Sequence, residues 1–349
     1  MGKKSEYNTT LKLQKTAKFR ELESLLPTYV HPYLDSMLVD YQINTLIAYT
    51  RDLITFFEFL SEMNPTLKGL ALNQIPECIL ENLTIQDITE YRNYLSANEG
   101  IYEHSNQASS IERRMAPLRG FFQDAYLNGF LKVNPAILQN RHKRRRKEKH
   151  EIIYMNNNEV RNFVHTVENS LVESTKQQKF CQKTQLRDTA IITLMLNTGI
   201  RISECVGIDM EDLSFRDNSV KVVRKGGHEA TIYFNEKVAN ALDAYIKLER
   251  PRFISEANEK ALFLSSQKKR MAIRSIQVMV KKFAKESVPN KNISAHKLRS
   301  TYGSALYQAT SDIYTVSERL GHSDISTSAK HYTAMTQDRL KEAGQIEPY

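Results

Sequence analysis

The segment "SAHKLRSTYGSALYQA", residues 294–309, combines a helix-start signal with two basic side chains at a fixed spacing. Ser294 is a residue type that caps helices. The apolar stripe of the predicted helix is formed by Leu298, Tyr302, Ala305 and Ala309. His296 and Arg299 lie off this stripe about one turn apart, so both side chains can point at one target. The rest of the chain has to identify that target.

The chain has 349 residues and a formal net charge of +9. This length predicts roughly two domains. The charge favours a polyanionic partner, either nucleic acid or an anionic membrane surface. No apolar run approaches the roughly 18 residues that span a bilayer, and the N-terminus "MGKKSEYNTT" is no signal peptide. We therefore expect a cytoplasmic protein that binds nucleic acid and no membrane.

The three cysteines, Cys78, Cys181 and Cys205, are too few and too scattered for a disulfide framework or a CxxC zinc site. We expect all three to be buried thiols in a reducing compartment.

A run of basic residues marks a domain boundary. Residues 141–149 carry seven Lys or Arg against one Glu. Loop signals, "NG" at 128–129 and "NP" at 134–135, come shortly before this run. We predict an N-terminal domain over 1–140, a basic linker over 141–150 and a C-terminal domain over 151–349. The linker is either a solvated connector or a strap on DNA phosphates, with Lys143, Arg144 and Arg145 as candidate contacts.

The N-terminal half reads as a helical bundle without a catalytic motif. In "SSIERRMAPLRGFFQDAYLNGF" the helical spacing predicts a buried stripe of Ile111, Met115, Leu118, Phe122 and Ala125. Arg113 and Arg114 fall largely off this stripe, where they meet either DNA or only water. Further helices are indicated by "NTLIAYTRDLITFFEFLSEM" and by "TIQDITEYRNYLSA", with Thr84 as N-cap.

The C-terminal half is mixed. "QLRDTAIITLMLNTG" predicts a helix that ends at Gly199. "SVKVVRKGGHEATIYF" alternates like two short strands around Gly226 and Gly227, which is a hairpin signature. The predicted fold is mainly α with a small β-sheet or hairpin in the C-terminal domain.

Four further motifs supply reactive side chains. "NTGIRISE" contains Arg201 just after a helix-ending glycine, with Glu204 one turn further along. "VRKGGH" contains Lys225 at the predicted hairpin tip, where a long amine can reach outward. "RLGHSDIS" contains His322, and "TSAKHYTAM" contains Tyr332. With the His-x-x-Arg pair, the chain order is Arg, Lys, His-x-x-Arg, His, Tyr.

This order of motifs resembles the catalytic domain of the tyrosine recombinase (phage integrase) family, over roughly residues 150–349. The helical N-terminal half resembles the core-binding domain of that family. "RDTAIITLMLNTGIRISE", "VRKGG", "AHKLRSTYGSAL" and "LGHSDIS" are most similar to Xer-type recombinases, especially the single-protein kind of streptococci and relatives. The resemblance implies a two-domain, C-shaped clamp on double-stranded DNA, a homotetramer on two paired sites, and no cofactor.

The resemblance also assigns roles to the motif residues. Arg201 and Arg299 would clamp phosphate oxygens with forked guanidinium groups. His296 and His322 would add hydrogen bonds and acid or base help. The remaining roles fall to Tyr332 as nucleophile, Lys225 as proton donor to the 5′ oxygen and Glu204 as a brace of the arginine or the histidine that does not touch DNA. The interval from His322 to Tyr332 is one residue longer than is usual in the family.

No metal is expected. The chain has no acidic cluster to hold two magnesium ions, and a zinc site of His296, His322 and His331 would fit no common spacing. The biological role stays open between resolution of chromosome dimers, which serves chromosome partition at cell division, and integration or excision of a mobile element. The alternative functions are a DNA-binding regulator that kept the fold without cleavage, and a type IB topoisomerase-like nickase.

Overall fold

The computed structural model describes residues 6–97, 108–137, 153–172, 178, 181–224, 227–255 and 259–321. The chain forms two compact units, residues 3–147 and residues 148–349.

The N-terminal unit is helical throughout its described part. Its α-helices are α1 (Glu6–Glu23), α2 (His31–Ser36), α3 (Ile43–Met63), α4 (Cys78–Glu81), α5 (Ile85–Ser96) and α6 (Ala108–Leu127). Short 3-10 turns lie at Thr28–Val30, Pro65–Leu67 and Leu72–Gln74. The predicted bundle is therefore confirmed.

Helix α6 supplies much of the core of this unit, packed against α3. All five residues of the predicted α6 stripe are buried, from Ile111 to Ala125. Phe122 meets Phe56 edge to face with ring centroids 5.8 Å apart, a geometry that aromatic rings prefer. Thr84 caps α5 as predicted, because its hydroxyl and backbone N–H both bond the Asp87 carboxylate while its oxygen accepts from the Asp87 N–H.

The C-terminal unit combines helices with a small sheet. Its α-helices are α7 (Asn157–Glu168), α8 (Gln185–Thr198), α9 (Ile202–Val206), α10 (Glu236–Ala244), α11 (Ile273–Ser287), α12 (Ala295–Thr310) and α13 (Ile313–Leu320). A π-helical turn at Tyr245–Glu249 follows α10, and 3-10 turns lie at Met210–Asp212 and Arg250–Phe253. The strands are β1 (Leu213–Ser214), β2 (Ser219–Val223) and β3 (Glu229–Tyr233).

The strands form an antiparallel sheet in the order β1, β2, β3. Strands β2 and β3 are the predicted hairpin, with Val220 opposite Ile232. Strand β1 has only two residues, too few for an alternating pattern to reveal it. The expected fold, mainly α with a small sheet, is confirmed.

Helix α8 is the centre of this unit and packs against α7, α10 and α12. Its first turn is held by Glu249, whose carboxylate accepts the backbone N–H groups of Leu186 and Arg187 at 2.9 and 3.2 Å. It ends at Gly199, which has a φ of 64°, so the predicted helix end is confirmed. Because this left-handed conformation suits glycine, the chain leaves the helix here and turns toward Arg201.

Helix α12 buries a different face from the one predicted. Leu298 is buried as expected, but Ala305 and Ala309 are exposed, and Tyr307 is buried in their place. Tyr307 packs with Val316 and Leu320 of α13, so the tertiary partner of α12 decides which face is covered. Ser294 occupies the predicted N-cap position, although its side chain makes no capping hydrogen bond within the described residues.

The three cysteines differ in burial. Cys181 and Cys205 are buried, but Cys78 is exposed at the start of α4, which corrects the prediction of three buried thiols. Burial raises the pKa of the Cys205 thiol to about 12. None of the described helices is long and apolar enough to span a membrane.

Candidate active site

Arg201 is the first residue of the predicted site that the fold positions. It is the N-cap of α9, and its backbone N–H donates to Glu204 Oε2 at 3.0 Å. Its guanidinium donates from Nη1 to the other carboxylate oxygen, Glu204 Oε1, at 2.8 Å. The Glu204 side chain is 3% exposed and the Arg201 side chain 30% exposed. A buried carboxylate thus holds the arginine from behind while the guanidinium reaches the surface.

Arg299 lies in the second turn of α12 and is buried. Its Nη1 donates to the carbonyl of Gly199 at 2.6 Å, and its Nη2 donates to the carbonyl of Leu320. The carbonyl of the neighbouring residue, Gly321, accepts from Arg201 Nη2 at 3.1 Å. Backbone oxygens at the end of α13 therefore fix both arginines, and the end of α8 fixes Arg299 as well.

Both arginines line one cleft, which has a volume of about 360 Å³. Its lining residues are Ile200, Arg201, Ile202, Ser203, Arg274, Gln277, Lys281, Ser294, Ala295, His296 and Arg299. His296 is exposed at this cleft. Four of the lining side chains are Arg or Lys, and no carboxylate is among the lining residues in the described part of the chain. Such a cleft attracts an anion with several oxygen acceptors, as a backbone phosphate has.

Three of these lining residues were missed by the sequence analysis. Arg274, Gln277 and Lys281 project from α11 on the spacing i, i+3, i+7, so they share one face of the helix. The amphipathic pattern of "IRSIQVMVKKFAKES" contains the signal, because the opposite face is buried through Ile276 and Val280. The pattern predicts a polar face, but only the fold shows that this face borders the cleft.

Three predicted residues, Lys225, His322 and Tyr332, lie outside the described residues. The described residues end directly before two of them in the sequence. They reach Arg224, the residue before Lys225, and Gly321, the residue before His322. Their roles stay predictions.

The two arginines predicted to contact DNA from α6 have different environments. Arg113 is half exposed and donates to both carboxylate oxygens of Asp52, at 3.0 and 3.2 Å. Arg114 is buried, with its Nε 3.4 Å from Asp52 Oδ1 and its Nη2 donating to Thr55 Oγ1 at 3.3 Å. Burial favours a structural role for Arg114 and leaves Arg113 as the candidate contact. The linker candidates Lys143, Arg144 and Arg145 lie outside the described residues.

The described part of the chain holds no group of three or more His, Cys, Asp or Glu side chains placed to bind a metal. The conceivable zinc site includes His322 and His331, which are outside that part.

Comparison with known proteins identifies the family. The Phage integrase family matches residues 142–339. The chain is 29% identical to tyrosine recombinase XerC of Caldanaerobacter subterraneus subsp. tengcongensis, over 95% of this chain and 91% of that protein. It is 27% identical to tyrosine recombinase XerS of Streptococcus pyogenes serotype M49, over 93% of this chain and 97% of that protein.

A solved structure agrees at the level of the fold. The post-cleavage complex of the XerH site-specific recombinase bound to palindromic difH substrate superposes with a TM-score of 0.63, at 19% identity, over 87% of this chain and 80% of that one. The fold, the motifs in order and the family match over more than half of the chain lead to one conclusion. The chain belongs to the phage integrase family and is a site-specific tyrosine recombinase that resembles the Xer type.

Proposed function

We propose that the cleft between α9, α11 and α12 binds the scissile phosphate of double-stranded DNA and that Tyr332 attacks it. The observation that carries the proposal is the convergence of Arg201, His296 and Arg299 on one cleft lined by basic and neutral side chains. In the pentacoordinate transition state at phosphorus, negative charge develops on the non-bridging oxygens. Fixed guanidinium groups stabilise that charge without reorganising during the reaction.

The proposed step is a transesterification. The Tyr332 Oη forms a bond to phosphorus, the bond from phosphorus to the 5′ oxygen breaks, and the DNA 3′ end becomes a phosphotyrosine. The phenol proton passes to His296 as base, and Lys225 gives a proton to the departing 5′ oxygen. The reverse reaction with a 5′ hydroxyl of the partner strand then rejoins the DNA. The phosphodiester energy is kept in the covalent bond, so no cofactor is required.

We propose that Glu204 acts on Arg201 and not on DNA. Two hydrogen bonds to one arginine, from a side chain that is almost fully buried, support this role. A carboxylate behind a guanidinium fixes its plane, which matters because the forked donors of arginine must match two phosphate oxygens.

The grip on DNA extends beyond the cleft. We propose that residues 1–140 form a core-binding domain with Arg113 as a contact, that the linker 141–150 lies on phosphates through Lys143, Arg144 and Arg145, and that residues 151–349 form the catalytic domain. Arg274 and Lys281 of α11 border the cleft and would contact the same DNA. Counter-ion release from the phosphates would then supply much of the affinity.

The proposed biological role is resolution of chromosome dimers in the cytoplasm, by a homotetramer on two paired sites, as part of chromosome partition at cell division. The relatives named XerC and XerS, matched over nearly their whole length, support this over integration or excision of a mobile element. The regulator alternative gains no support from the comparisons.

The test starts from a duplex that the protein itself selects from a random library. That duplex is nicked close to the cleavage position, so that the short fragment diffuses away and the covalent complex accumulates. A wild-type adduct on a denaturing gel, absent from Tyr332→Phe, is the expected result. Tight specific binding without any adduct would refute the recombinase mechanism. Relaxation of supercoiled plasmid that lacks the selected sequence would indicate the topoisomerase-like alternative.

A further inference from the structure

Arg224 stands at the root of the hairpin, directly after β2. Its backbone N–H donates to the carbonyl of His228 at 2.8 Å, and its carbonyl accepts from the N–H of Gly227 at 3.0 Å. The backbone of Arg224 is therefore fixed from both sides, and only its side chain is left to make a distant contact.

That side chain reaches the C-terminal end of α13. Its Nη2 donates to the carbonyl of Arg319 at 3.3 Å. Its guanidinium also lies over Gly321, so closely that any Cβ at this position would collide with it. Its Nε is buried and has no acceptor among the described residues. The contact with α13 is thus the main polar attachment of this guanidinium within the described chain.

Arg224 completes a set of three arginines on three successive carbonyls, those of residues 319–321. The pairs are Arg224 with Arg319, Arg299 with Leu320, and Arg201 with Gly321. The last carbonyls of a helix lack partners in the helix and carry its negative dipole end, so cations bind them well. Two of the three arginines belong to the proposed phosphate clamp. The third, Arg224, comes from the hairpin.

We propose that Arg224 is a positioning residue for Lys225, holding the hairpin root against the α13 end so that the Lys225 amine meets the departing 5′ oxygen. One peptide unit, about 3.8 Å between Cα atoms, separates Arg224 from Lys225 and Gly321 from His322. The contact of Arg224 with Gly321 therefore joins the last described residue before Lys225 to the last described residue before His322. The hairpin and α13 face each other across a cleft lined by Thr231, Tyr302 and Glu318, which Arg224 bridges.

The residue types fit this role. A guanidinium is planar, so it can lie flat over a glycine while its edge donates to a carbonyl. Lysine keeps the charge but has neither the plane nor the fork. Gly321 has a φ of 60°, the left-handed conformation that closes a helix, and its missing Cβ leaves the space that Arg224 fills.

This inference rests on the proposed function, and the experiment separates the two. Single-turnover cleavage is measured on the selected nicked duplex with either oxygen or sulfur at the 5′ bridging position. A thiol has a pKa of about 8.5, so a thiolate departs without a proton donor. If Arg224 positions Lys225, Arg224→Ala should slow cleavage of the oxygen substrate by about 100-fold. On the sulfur substrate its rate should return close to that of wild type, as for Lys225→Ala.

Two variants and a control sharpen the test. Arg224→Lys should show a smaller loss with the same rescue by sulfur. Gly321→Ala also displaces the guanidinium, but it strains the backbone at the carbonyl that holds Arg201, so it should slow cleavage of both substrates and be only partly rescued by sulfur. Arg216→Ala removes an exposed arginine from the turn between β1 and β2, at the other end of the sheet. It should cleave both substrates like wild type.

Two results would overturn the inference. One is an Arg224→Ala protein that cleaves the oxygen substrate at the wild-type rate. The other is an equal loss on both substrates in Arg224→Ala and Arg224→Lys with an unchanged melting temperature, because a general loss of structure or binding is not relieved by a better leaving group. Absence of an adduct from the wild-type protein on either substrate would instead refute the proposed function.

Discussion

Removal of the Glu204 side chain should free the Arg201 guanidinium and leave the Arg299 guanidinium in place. It bonds Arg201 through both carboxylate oxygens, whereas Arg299 is held by carbonyls of other segments. In Glu204→Ala the Arg201 guanidinium loses its brace and samples orientations that do not match the phosphate. We expect cleavage to slow by about 10-fold to 100-fold, with little change in the affinity for DNA. Single-turnover adduct formation and fluorescence anisotropy measure the two quantities.

The conservative variant identifies the cause. Glu204→Gln keeps an oxygen that accepts from Arg201 but loses the charge, so its rate should lie between those of wild type and Glu204→Ala. Glu211, an exposed carboxylate in the following 3-10 turn, serves as the control, since its removal should change neither rate nor affinity. Equal losses of rate and affinity in Glu204→Ala would contradict a positioning role.

In the N-terminal unit, Asp52 is a buried carboxylate that pairs with arginines, as Glu204 does in the C-terminal unit. Its side chain is 6% exposed and faces both Arg113 and Arg114. Removing one partner of a buried ion pair leaves the other charge uncompensated, so Asp52→Ala should lower the free energy of unfolding by about 3 kcal/mol. Urea unfolding followed by circular dichroism measures it. Asp40→Ala, at an exposed aspartate of the same unit, should be close to neutral. A neutral Asp52→Ala would show that Arg114 does not depend on this carboxylate.

At the scale of elements, the end of α8 controls the site. Gly199 has a φ of 64°, and a Cβ there would collide with Tyr302 and approach Leu320 Cδ2 to 2.8 Å. Gly199→Ala therefore combines backbone strain with crowding and should cost more than about 1 kcal/mol of stability. It should also slow cleavage, because the Gly199 carbonyl that moves is an acceptor of Arg299.

A second glycine separates the two contributions. Gly69 has a φ of 88° with no atom within 4 Å of an added Cβ, so Gly69→Ala carries the strain without the crowding. Thermal melting should show a larger loss for Gly199→Ala than for Gly69→Ala, and only the former should affect cleavage. Equal losses in stability would mean that packing around Gly199 is looser than the described geometry.

Helix α13, which ends at the arginine-binding carbonyls, begins at a titratable cap. Asp312 accepts hydrogen bonds from the Thr315 hydroxyl at 2.5 Å and from the N–H groups of Tyr314 and Thr315 at 2.8 and 3.2 Å. These bonds, that from the Thr315 side chain foremost, lower the pKa of Asp312 below its ordinary value of 3.8. The stabilisation is therefore present above pH 3.8 and is lost as the pH falls through the lower pKa of the folded state.

We expect Asp312→Ala to melt below wild type at neutral pH, with the difference narrowing as the pH falls below 3.8. Asp312→Asn caps a helix about as well without titrating there. It should therefore melt near wild type at neutral pH and keep its advantage over Asp312→Ala in acid. Melting temperatures across the pH range measure all three proteins, and a pH-independent difference between wild type and Asp312→Ala would refute the assignment of the cap.

Structural features that depend on residues close together in the sequence were predictable. Thr84 and Gly199 mark helix ends by residue type and conformation, and paired glycines mark the hairpin between β2 and β3. The stripe on α6 was also correct, because a long amphipathic period leaves little choice of face.

Features that depend on a distant partner were not predictable. Arg114 was assigned to the surface by its charge, yet it pairs with Asp52, which lies far away in sequence on α3. The buried face of α12 was misassigned because α13, packed at Tyr307, sets it. The basic face of α11 joins the cleft only through tertiary packing. A periodic pattern reports which residues share a face, and it does not report what that face meets.

At the scale of the whole molecule, the net charge of +9 is unevenly spread, since residues 141–149 alone contribute +6. If this linker lies on phosphates, each neutralised phosphate contributes about 0.9 to the slope of log affinity against log salt concentration. Replacing Lys143, Arg144 and Arg145 together by Ala should then reduce that slope by about 2 to 3. Titration of a labelled duplex that carries the selected site, at several salt concentrations, measures this slope.

The control makes the same change in charge elsewhere. Lys12, Lys15 and Lys18 lie on α1 and are at least partly exposed, so their triple replacement by Ala removes three positive charges without touching the linker. If the linker contacts phosphates, the linker variant releases fewer counter-ions on binding. The slope should then fall in the linker variant and not in the α1 variant. Equal reductions in both variants would attribute the effect to overall charge, and an unchanged slope in the linker variant would identify residues 141–150 as a solvated connector.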